Sequence, residues 1–379
     1  MPMHRFAFDE ADDTRVYVSE QSGDVVLRTT RRERLWGYLG PVLHWVYFTP
    51  LRRNGSLWSE FIIWSSLIGC VMCLTGVLWG LWRYSPRSRF RLKRVPSQSP
   101  YSGMLKWHHY AGLLFGVITT TWTYSGLLSM GPFNWFSSPG VTATQRDAFT
   151  GGPLRLDQLT LDKLREGAMA IGSSFRSSHG GGFLKELEVT QFRGEPYLLG
   201  YRAPSTDEAV QWMHAGLLPR ASRPRLEHRY VSGLEPAAGT FVRFDEPRFG
   251  EGTMLELARA AMPDVPVEDA SWLSEYDAHY YDLRGARPLP VLRVQYADAN
   301  RTWLYVDPER GAIVQRTDDT RRLRRWLYQG LHSLDFPALY YKRPLWDIVV
   351  ILLSIGGVAI SVTSALPAWR RIVRLSRRT

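Results

Sequence analysis

Residues 61–82 read FIIWSSLIGCVMCLTGVLWGLW, 22 residues without a single Lys, Arg, Asp or Glu. Residues 348–369 read IVVILLSIGGVAISVTSALPAW and form a second uncharged stretch of 22 residues. A third run begins at Trp107 and stays free of charge until Arg146. About 20 apolar residues in a helix cross the hydrocarbon core of a bilayer. The sequence therefore predicts a membrane α-helical bundle with spans at 58–82, 106–130 and 345–369.

The basic residues give these spans an orientation. The chain has 379 residues and a net charge of +11, and twelve of its Lys and Arg residues lie in two acid-free stretches, 83–106 and 370–379. Both stretches adjoin spans, which is typical of cytoplasmic flanks and not of a nucleic-acid-binding surface. We interpret the chain as a multi-pass protein of the bacterial inner (cytoplasmic) membrane. Its predicted partner is the lipid bilayer, and no nucleic acid is expected.

With the loop at 83–105 and the tail at 370–379 inside, residues 1–57 and 131–344 are expected outside, which in a bacterium is the periplasm. In the second region, hydropathy predicts a helix at Leu159–Ile171, followed by strands in FLKELEVTQF and EPYLLGYRA. The order then recurs, with TMLELARAAMPD as helix and SWLSEYDAHYYDL, LPVLRVQYAD and TWLYVDPERGAIVQRT as strands. The expected architecture is an exported α+β region in which one helix on a small antiparallel sheet occurs twice.

An internal repeat relates the two ends of the chain. At an offset of 288, residues 2–58 align without gaps with 290–346, and 19 of the 57 positions are identical. The identities include His44/His332 and Trp58/Trp346. We interpret the repeat as a duplicated unit in which one transmembrane helix leads into an exported α+β domain and a second transmembrane helix leads out of it. By that symmetry a fourth transmembrane helix is expected upstream of Met1, and the sequence is interpreted as truncated or begun at a misassigned start. A true three-span protein is the alternative, but it leaves the export of residues 1–57 unexplained.

Several motifs resemble the PepSY-associated transmembrane (PepSY-TM) family. They are YVDPERGAIV, WLYQGLHSLDFP, a PLWD helix start and a span that ends in AWRR. The stretch KWHHYAGLLFGVITTTWTYSGLLSM resembles that family's inward-side HRWLGL helix, and the order of elements is similar over nearly the whole chain. The resemblance implies that residues 1–57 are the C-terminal part of a first PepSY-like domain with its His-bearing segment, and that 131–344 hold two PepSY-like units. Family members include haem-containing inner-membrane reductases that release iron from ferric siderophores, and many members without assigned function.

Four histidines are the candidate cofactor ligands. His44 and His332 are repeat equivalents at the expected outer membrane face, and His108 and His109 open the middle span at the inner face. Axial imidazoles hold haem iron in electron-transfer sites, so with the resemblance His44 and His332 suit one haem b. His108 or His109 would hold a second, with its partner on the upstream helix. His108 precedes Gly112 by four residues as in HRWLGL, whereas His109 shares a helix face with Gly112 and Gly116.

Two functions from different classes follow. The first is a b-type haem electron-transfer protein, a membrane oxidoreductase that takes electrons from a cytoplasmic or quinol donor and reduces ferric siderophores or another exported acceptor. The second is a non-enzymatic PepSY membrane regulator or accessory subunit, in which the histidines are only polar residues tolerated at the headgroups. The residues by themselves indicate a membrane protein with haem held by two histidines. The siderophore as acceptor is implied by the family resemblance.

Overall fold

A computed structural model describes residues 2–87, 89–92, 95–155, 157, 159–177, 184–202, 228–232, 250–282, 287–308 and 310–377. The chain divides into two compact units. Unit 1 consists of Met1–Phe133, Leu331–Leu334 and Lys342–Thr379, and unit 2 consists of Asn134–Gly330 and Asp335–Tyr341. Helices and small antiparallel sheets occur together, so the mixed α+β composition expected from the sequence is confirmed.

The described strands are β1 (Met3–Ala7), β2 (Arg15–Ser19), β3 (Val25–Thr29), β4 (Phe90–Leu92), β5 (Val95–Ser97), β6 (Leu184–Phe192), β7 (Glu195–Arg202), β8 (His228–Ser232), β9 (Val267–Leu273), β10 (Val291–Tyr296), β11 (Trp303–Asp307) and β12 (Ala312–Thr317). The described α-helices are α1 (Arg31–Gly37), α2 (Thr49–Arg52), α3 (Gly55–Arg83), α4 (Met104–Ser129), α5 (Ala143–Thr150), α6 (Leu161–Ser177), α7 (Glu251–Ala261), α8 (Asp319–Arg325), α9 (Leu331–Ser333), α10 (Pro337–Tyr340) and α11 (Leu345–Ser376).

Three long helices form the main body of unit 1. α4 packs along both α3 and α11, and glycines permit the close approach. A Cβ on Gly116 of α4 would lie 2.7 Å from Cγ2 of Val77, and one on Gly356 of α11 would lie 2.3 Å from the Phe115 ring. Small residues at such contacts are typical of helix packing in membranes.

Two of the described helices, α3 and α11, are long and apolar enough to cross a membrane. The most apolar 18 residues of α3 are 0% buried and those of α11 are 6% buried. Both helices therefore have apolar sides that no other part of the described chain covers. The predicted middle helix is present as α4, but hydroxyl, histidine and tyrosine side chains make it less apolar, and its crossing of the membrane stays a prediction. α11 continues to Ser376, so the expected basic tail at 370–379 is helical for most of its length.

Unit 2 contains the two helix-on-sheet arrangements expected from the sequence. α6 packs on the antiparallel sheet β6-β7-β8, and α7 packs on the sheet of order β12-β11-β10-β9. The second has the larger core, with Met254 and Ala258 of α7 against Leu292 and Val294 of β10, all four 0% exposed. One expected strand is wrong: the strand before β10 is Val267–Leu273, not 271–283. Residues 274–282 are instead bent, with Asp277 Oδ1 accepting from the backbone N–H groups of His279 and Tyr280.

The internal repeat is visible element by element. α1 and α8 begin and end 288 positions apart, as do α2 and α10, and β2 and β11. Each copy has a π-helical turn after its basic helix, Tyr38–Val42 and Trp326–Gly330. Both sheets shift register at the equivalent Tyr–Val step of β2 and β11. The alignment of the two sequences is therefore an alignment of two local structures.

Candidate functional site

His44 and His332 face each other in unit 1. Their ring centroids lie 5.9 Å apart and their planes are inclined by 50°. In each copy the histidine follows the π-helical turn and precedes a residue in the left-handed region, Val46 at φ 53° and Leu334 at φ 50°. π-helical turns and left-handed non-glycine residues are uncommon, and both occur frequently at functional sites. The repeat therefore gives both imidazoles the same local backbone.

His332 is held by α4. Its Nδ1 lies 3.0 Å from Oγ of Ser125, a residue that is 0% exposed. The Ser125 hydroxyl donates its proton to the Trp122 carbonyl at 3.1 Å, so we assign its oxygen as the acceptor of an Nδ1–H from His332. A neutral imidazole protonated at Nδ1 has its lone pair on Nε2, the form that binds a metal ion. Burial, and next the neighbouring His44, hold the pKa of His332 below its ordinary value, which favours that neutral form.

The surroundings of His332 fit a flat cofactor held by two imidazoles. Two imidazoles that share one metal ion, each about 2 Å from it, have ring centroids roughly 6 Å apart, close to the spacing observed. Gly126 borders His332, since a Cβ on it would lie 3.9 Å from Cε1 of the imidazole. The indole Nε1 of Trp122 is buried and has no hydrogen-bond partner among the described residues. A small residue beside the ligand and an unused donor are features that a haem group would use.

Comparisons with protein-family models, curated proteins and solved structures give no match. The likeness to the PepSY-TM family therefore depends on the motifs themselves. Among the described residues no group of three or more His, Cys, Asp and Glu side chains is placed to hold a metal ion. A haem differs from such a site, because its porphyrin supplies four ligands and the protein only one or two.

His108 at the other end of α4 has a similar environment to His332. Its Nδ1 lies 3.2 Å from Oγ1 of Thr363 on α11, and that hydroxyl donates to the Ala359 carbonyl at 2.6 Å. By the same reasoning, we assign the proton of His108 to Nδ1 and the lone pair to Nε2. His108 is half-buried, and no hydrogen bond to its Nε2 is present among the described residues.

His109 has the opposite arrangement. It is buried, with Nε2 2.8 Å from the Gly80 carbonyl of α3 and Nδ1 2.8 Å from Oγ of Ser99. A carbonyl only accepts, so Nε2 carries the proton and Nδ1 accepts from Ser99. Neither nitrogen has a free lone pair for a metal ion.

The helix face that His109 shares with Gly112 and Gly116 does not offer a site for a flat macrocycle along its length. Gly116 lies against Val77 of α3, whereas Gly112 has open space around it. His109 thus connects α3 to α4, and this geometry favours His108 as the candidate ligand at this end.

Sequence reasoning missed Ser125 and Thr363 as partners of the histidines. Neither residue is among the candidate site residues that the sequence indicates. Each hydroxyl lies far from its histidine along the chain, 207 positions for Ser125 and 255 for Thr363. Ser and Thr in apolar helices usually bond to their own backbone, as both do here. No signal in a single sequence distinguishes the two that also hold an imidazole.

Proposed function

We propose that this protein is an inner-membrane b-type haem electron-transfer protein of the PepSY-TM kind, which passes electrons to an acceptor on the exported side. The observation that carries the proposal is the pair His44 and His332, two repeat-equivalent imidazoles at 5.9 Å. A haem group, when bound, accepts and releases single electrons at its iron. His44 and His332 would hold it at one end of the bundle and His108 would hold a second at the other.

The chain's own residues would orient the ligands and set their basicity. The Ser125 and Thr363 hydroxyls, as acceptors of an Nδ1–H, would fix the rotation of the two imidazoles and leave the Nε2 lone pairs for the haem iron. Trp122 would donate its indole N–H to an anionic group such as a carboxylate of the cofactor. Ser125 lies 17 residues along α4 from His108, which corresponds to about 25 Å of helix rise. The two candidate sites therefore lie at opposite ends of a helix long enough to cross a bilayer.

The proposed acceptor is ferric iron in a siderophore, on the strength of the motif resemblance. One electron converts Fe(III) to Fe(II), which common chelators hold much more weakly, so the metal is released without breaking the chelator. The proposed donor is a cytoplasmic reductant or a membrane quinol on the side of the basic flanks. The proposed orientation follows the positive-inside rule, with the sheets β1-β2-β3, β6-β7-β8 and β12-β11-β10-β9 in the periplasm and the short β4-β5 hairpin in the cytoplasm.

The decisive experiment is a reduced-minus-oxidised visible spectrum of the detergent-purified protein, with a pyridine haemochrome assay for stoichiometry. We expect a sharp b-type α band. His332→Ala and His44→Ala should each remove the part of that band that comes from the haem held by these two histidines, which we call the outer site. His4→Ala is the matched control, since His4 lies exposed on β1 and should leave the spectrum unchanged. Full-length protein that binds no haem even on reconstitution would refute the proposal, and would favour a PepSY membrane regulator or accessory subunit.

A further inference from the structure

The ends of α3 and α11 leave the helix bundle on the same side, beside the start of α4. His109 of α4 contacts the Gly80 carbonyl of α3 at 2.8 Å, and the neighbouring His108 contacts Oγ1 of Thr363 of α11 at 3.2 Å. Gly80 and Thr363 therefore lie at nearly the same height along α4. Further along α4, its contacts lie earlier in both partner helices, so α3 and α11 run antiparallel to it and both end here. We call this side of unit 1 the inner end.

Three tryptophans mark a membrane boundary at the inner end. Trp82 of α3, Trp107 of α4 and Trp369 of α11 are 72%, 67% and 66% exposed. The charge-free runs of α3 and α11 end at Trp82 and Trp369. Tryptophan is enriched where the hydrocarbon core meets the headgroups, and here each long helix contributes one. The hydrocarbon core is therefore expected to end at this level.

Helix α11 continues for seven residues beyond Trp369, which corresponds to about 10 Å of helix rise. The headgroup layer on each side of the hydrocarbon core is about 5–8 Å thick, so the last part of α11 lies mainly within that layer. Ile372 and Leu375 are exposed and lie three residues apart, whereas Arg370 and Arg374 are exposed and lie four apart. The two pairs occupy different faces of the helix. A helix end with one apolar and one basic face is typical of a segment that contacts anionic lipid.

The positive charge at the inner end is not compensated by acidic neighbours among the described residues. Arg87, Arg89 and Arg91 follow α3 and are exposed, as are the four arginines of 370–377. The loop after α3 and the end of α11 contain no acidic residue. None of the ion pairs in the described part of the chain involves these arginines. Such a surface attracts an anionic group from outside the protein.

We propose that the inner end binds the headgroups of anionic phospholipids selectively, beyond the general contact of the apolar helices with lipid. Arg370 and Arg374 contact lipid phosphates, which guanidinium groups hold through paired N–H donors. Ile372 and Leu375 lie against the acyl chains below those phosphates. Arg87 and its neighbours after α3 extend the basic surface to a second helix. The inference rests on α3 and α11 lying in a bilayer, and it does not depend on haem.

The test uses the full-length protein reconstituted in phosphatidylcholine vesicles that hold a trace of spin-labelled lipid. Electron spin resonance measures how much labelled phosphatidylglycerol, and in a parallel sample how much labelled phosphatidylcholine, the protein immobilises. We expect a preference of about fivefold for phosphatidylglycerol at low salt, which is the effect of roughly one arginine–lipid contact. The ratio should approach one at about 1 M salt, where the Debye length is only about 3 Å.

Variants of α11 assign the preference to the inner end. Arg370→Gln combined with Arg374→Gln should remove most of it, whereas Arg370→Lys combined with Arg374→Lys should keep most of it, because the charge remains. The lysine variant also shows that the exposed positions tolerate substitution. The matched control is Arg165→Gln combined with Arg259→Gln, which removes two exposed charges from α6 and α7 of unit 2 and should leave the ratio unchanged.

Three results would overturn the proposal. The first is equal immobilisation of the two lipids by the wild type, because the protein would then have no preference for anionic headgroups. The second is a preference that survives in the glutamine variant of α11, or that falls equally in the unit 2 control, because the inner end would then not be its source. The third is loss of the preference when millimolar inorganic phosphate is added at constant ionic strength, because the arginines would then hold a free anion.

Discussion

Trp58 and Trp346, which occupy equivalent positions in the repeat, make the same hydrogen bond. Each indole Nε1 donates to the backbone carbonyl 13 residues earlier, Trp45 at 3.1 Å and Ser333 at 2.9 Å. Those carbonyls belong to the residues that follow His44 and His332. The start of each long apolar helix is thereby connected to the histidine-bearing segment before it, and the identity of the two tryptophans in the alignment has a structural cause.

Trp346→Phe should loosen the His332 segment. The substitution keeps an aromatic ring but removes the donor to the Ser333 carbonyl, and a lost hydrogen bond of this kind costs about 1 kcal/mol. We expect a severalfold faster loss of haem from the outer site, measured by transfer of haem to an apo-protein acceptor. Trp369→Phe at the far end of α11 is the control. Equal rates in both variants would show that the hydrogen bond does not support the site.

Ser125→Ala should weaken haem binding at the outer site and change its redox properties. Loss of a hydrogen bond to the second imidazole nitrogen typically lowers metal affinity by about 10–100-fold. Potentiometric titration should show a changed midpoint for one haem only, and the Nδ1–H of His332 should exchange faster. Ser129→Ala is the matched control, because Ser129 lies one helical turn after Ser125 and, among the described residues, its hydroxyl bonds to the Gly126 carbonyl of its own helix alone. An unchanged potential in Ser125→Ala would exclude Ser125 as a positioning residue.

The sequence predicted the elements well and the side-chain partners poorly, for physical reasons. Charge-free runs and strand alternation are local, so α3, α11, β6 and β7 are found where hydropathy places them. The repeat predicted the matching His44 and His332 because identical residues at one offset need no tertiary knowledge. The contacts of Ser125 and Thr363 depend on how distant helices pack. The choice between His108 and His109 depended on which face of α4 packs against α3. The local sequence pattern carries no information about that packing.

His108→Ala and His109→Ala should have opposite effects. His109→Ala leaves the Gly80 carbonyl and Ser99 without their buried partner, and each such loss costs about 1–3 kcal/mol. We therefore expect a lower thermal unfolding temperature for His109→Ala with the haem content per folded molecule retained. His108→Ala should leave stability nearly unchanged and remove any haem bound at that end. Thermal unfolding and the haemochrome assay on the same samples separate the two, and the reverse pattern would make His109 the ligand.

Gly356→Ala should disturb the packing of α4 against α11. The added methyl would lie 2.3 Å from the Phe115 ring, and overpacking of this kind costs about 1–3 kcal/mol. Gly112→Ala is the matched control, because nothing lies within 4 Å of its new methyl and alanine favours a helix by about 1 kcal/mol. Thermal unfolding in one detergent should therefore shift downward for Gly356→Ala and not for Gly112→Ala. A tolerated Gly356→Ala would mean that the two helices do not meet at this residue.

Asp335→Asn should destabilise unit 2 strongly, because it removes one partner of a buried ion pair. Asp335 lies 3.3 Å from the Arg325 guanidinium with side chains 6% and 9% exposed, and it accepts from the Tyr281 hydroxyl at 2.6 Å. Leaving Arg325 buried without its partner costs about 3–5 kcal/mol. The exposed pair of Arg193 and Glu256 at 3.0 Å provides the control, since Glu256→Gln should cost no more than about 1 kcal/mol.

Tyr281→Phe removes the hydrogen bond that Asp335 accepts from the Tyr281 hydroxyl but keeps the ion pair of Asp335 with Arg325. Burial, followed by the bond to Asp335, raises the pKa of Tyr281 above its ordinary value, so its contribution to stability is complete below the unfolded pKa and is lost as pH rises beyond it. The wild type should therefore lose more stability than Tyr281→Phe above about pH 10, the ordinary tyrosine pKa. At neutral pH the free energy of unfolding of Tyr281→Phe should be only about 1 kcal/mol below that of the wild type. Denaturant unfolding followed at pH 7 and pH 11 measures both, and parallel losses in the two proteins would show that Tyr281 does not titrate as part of this cluster.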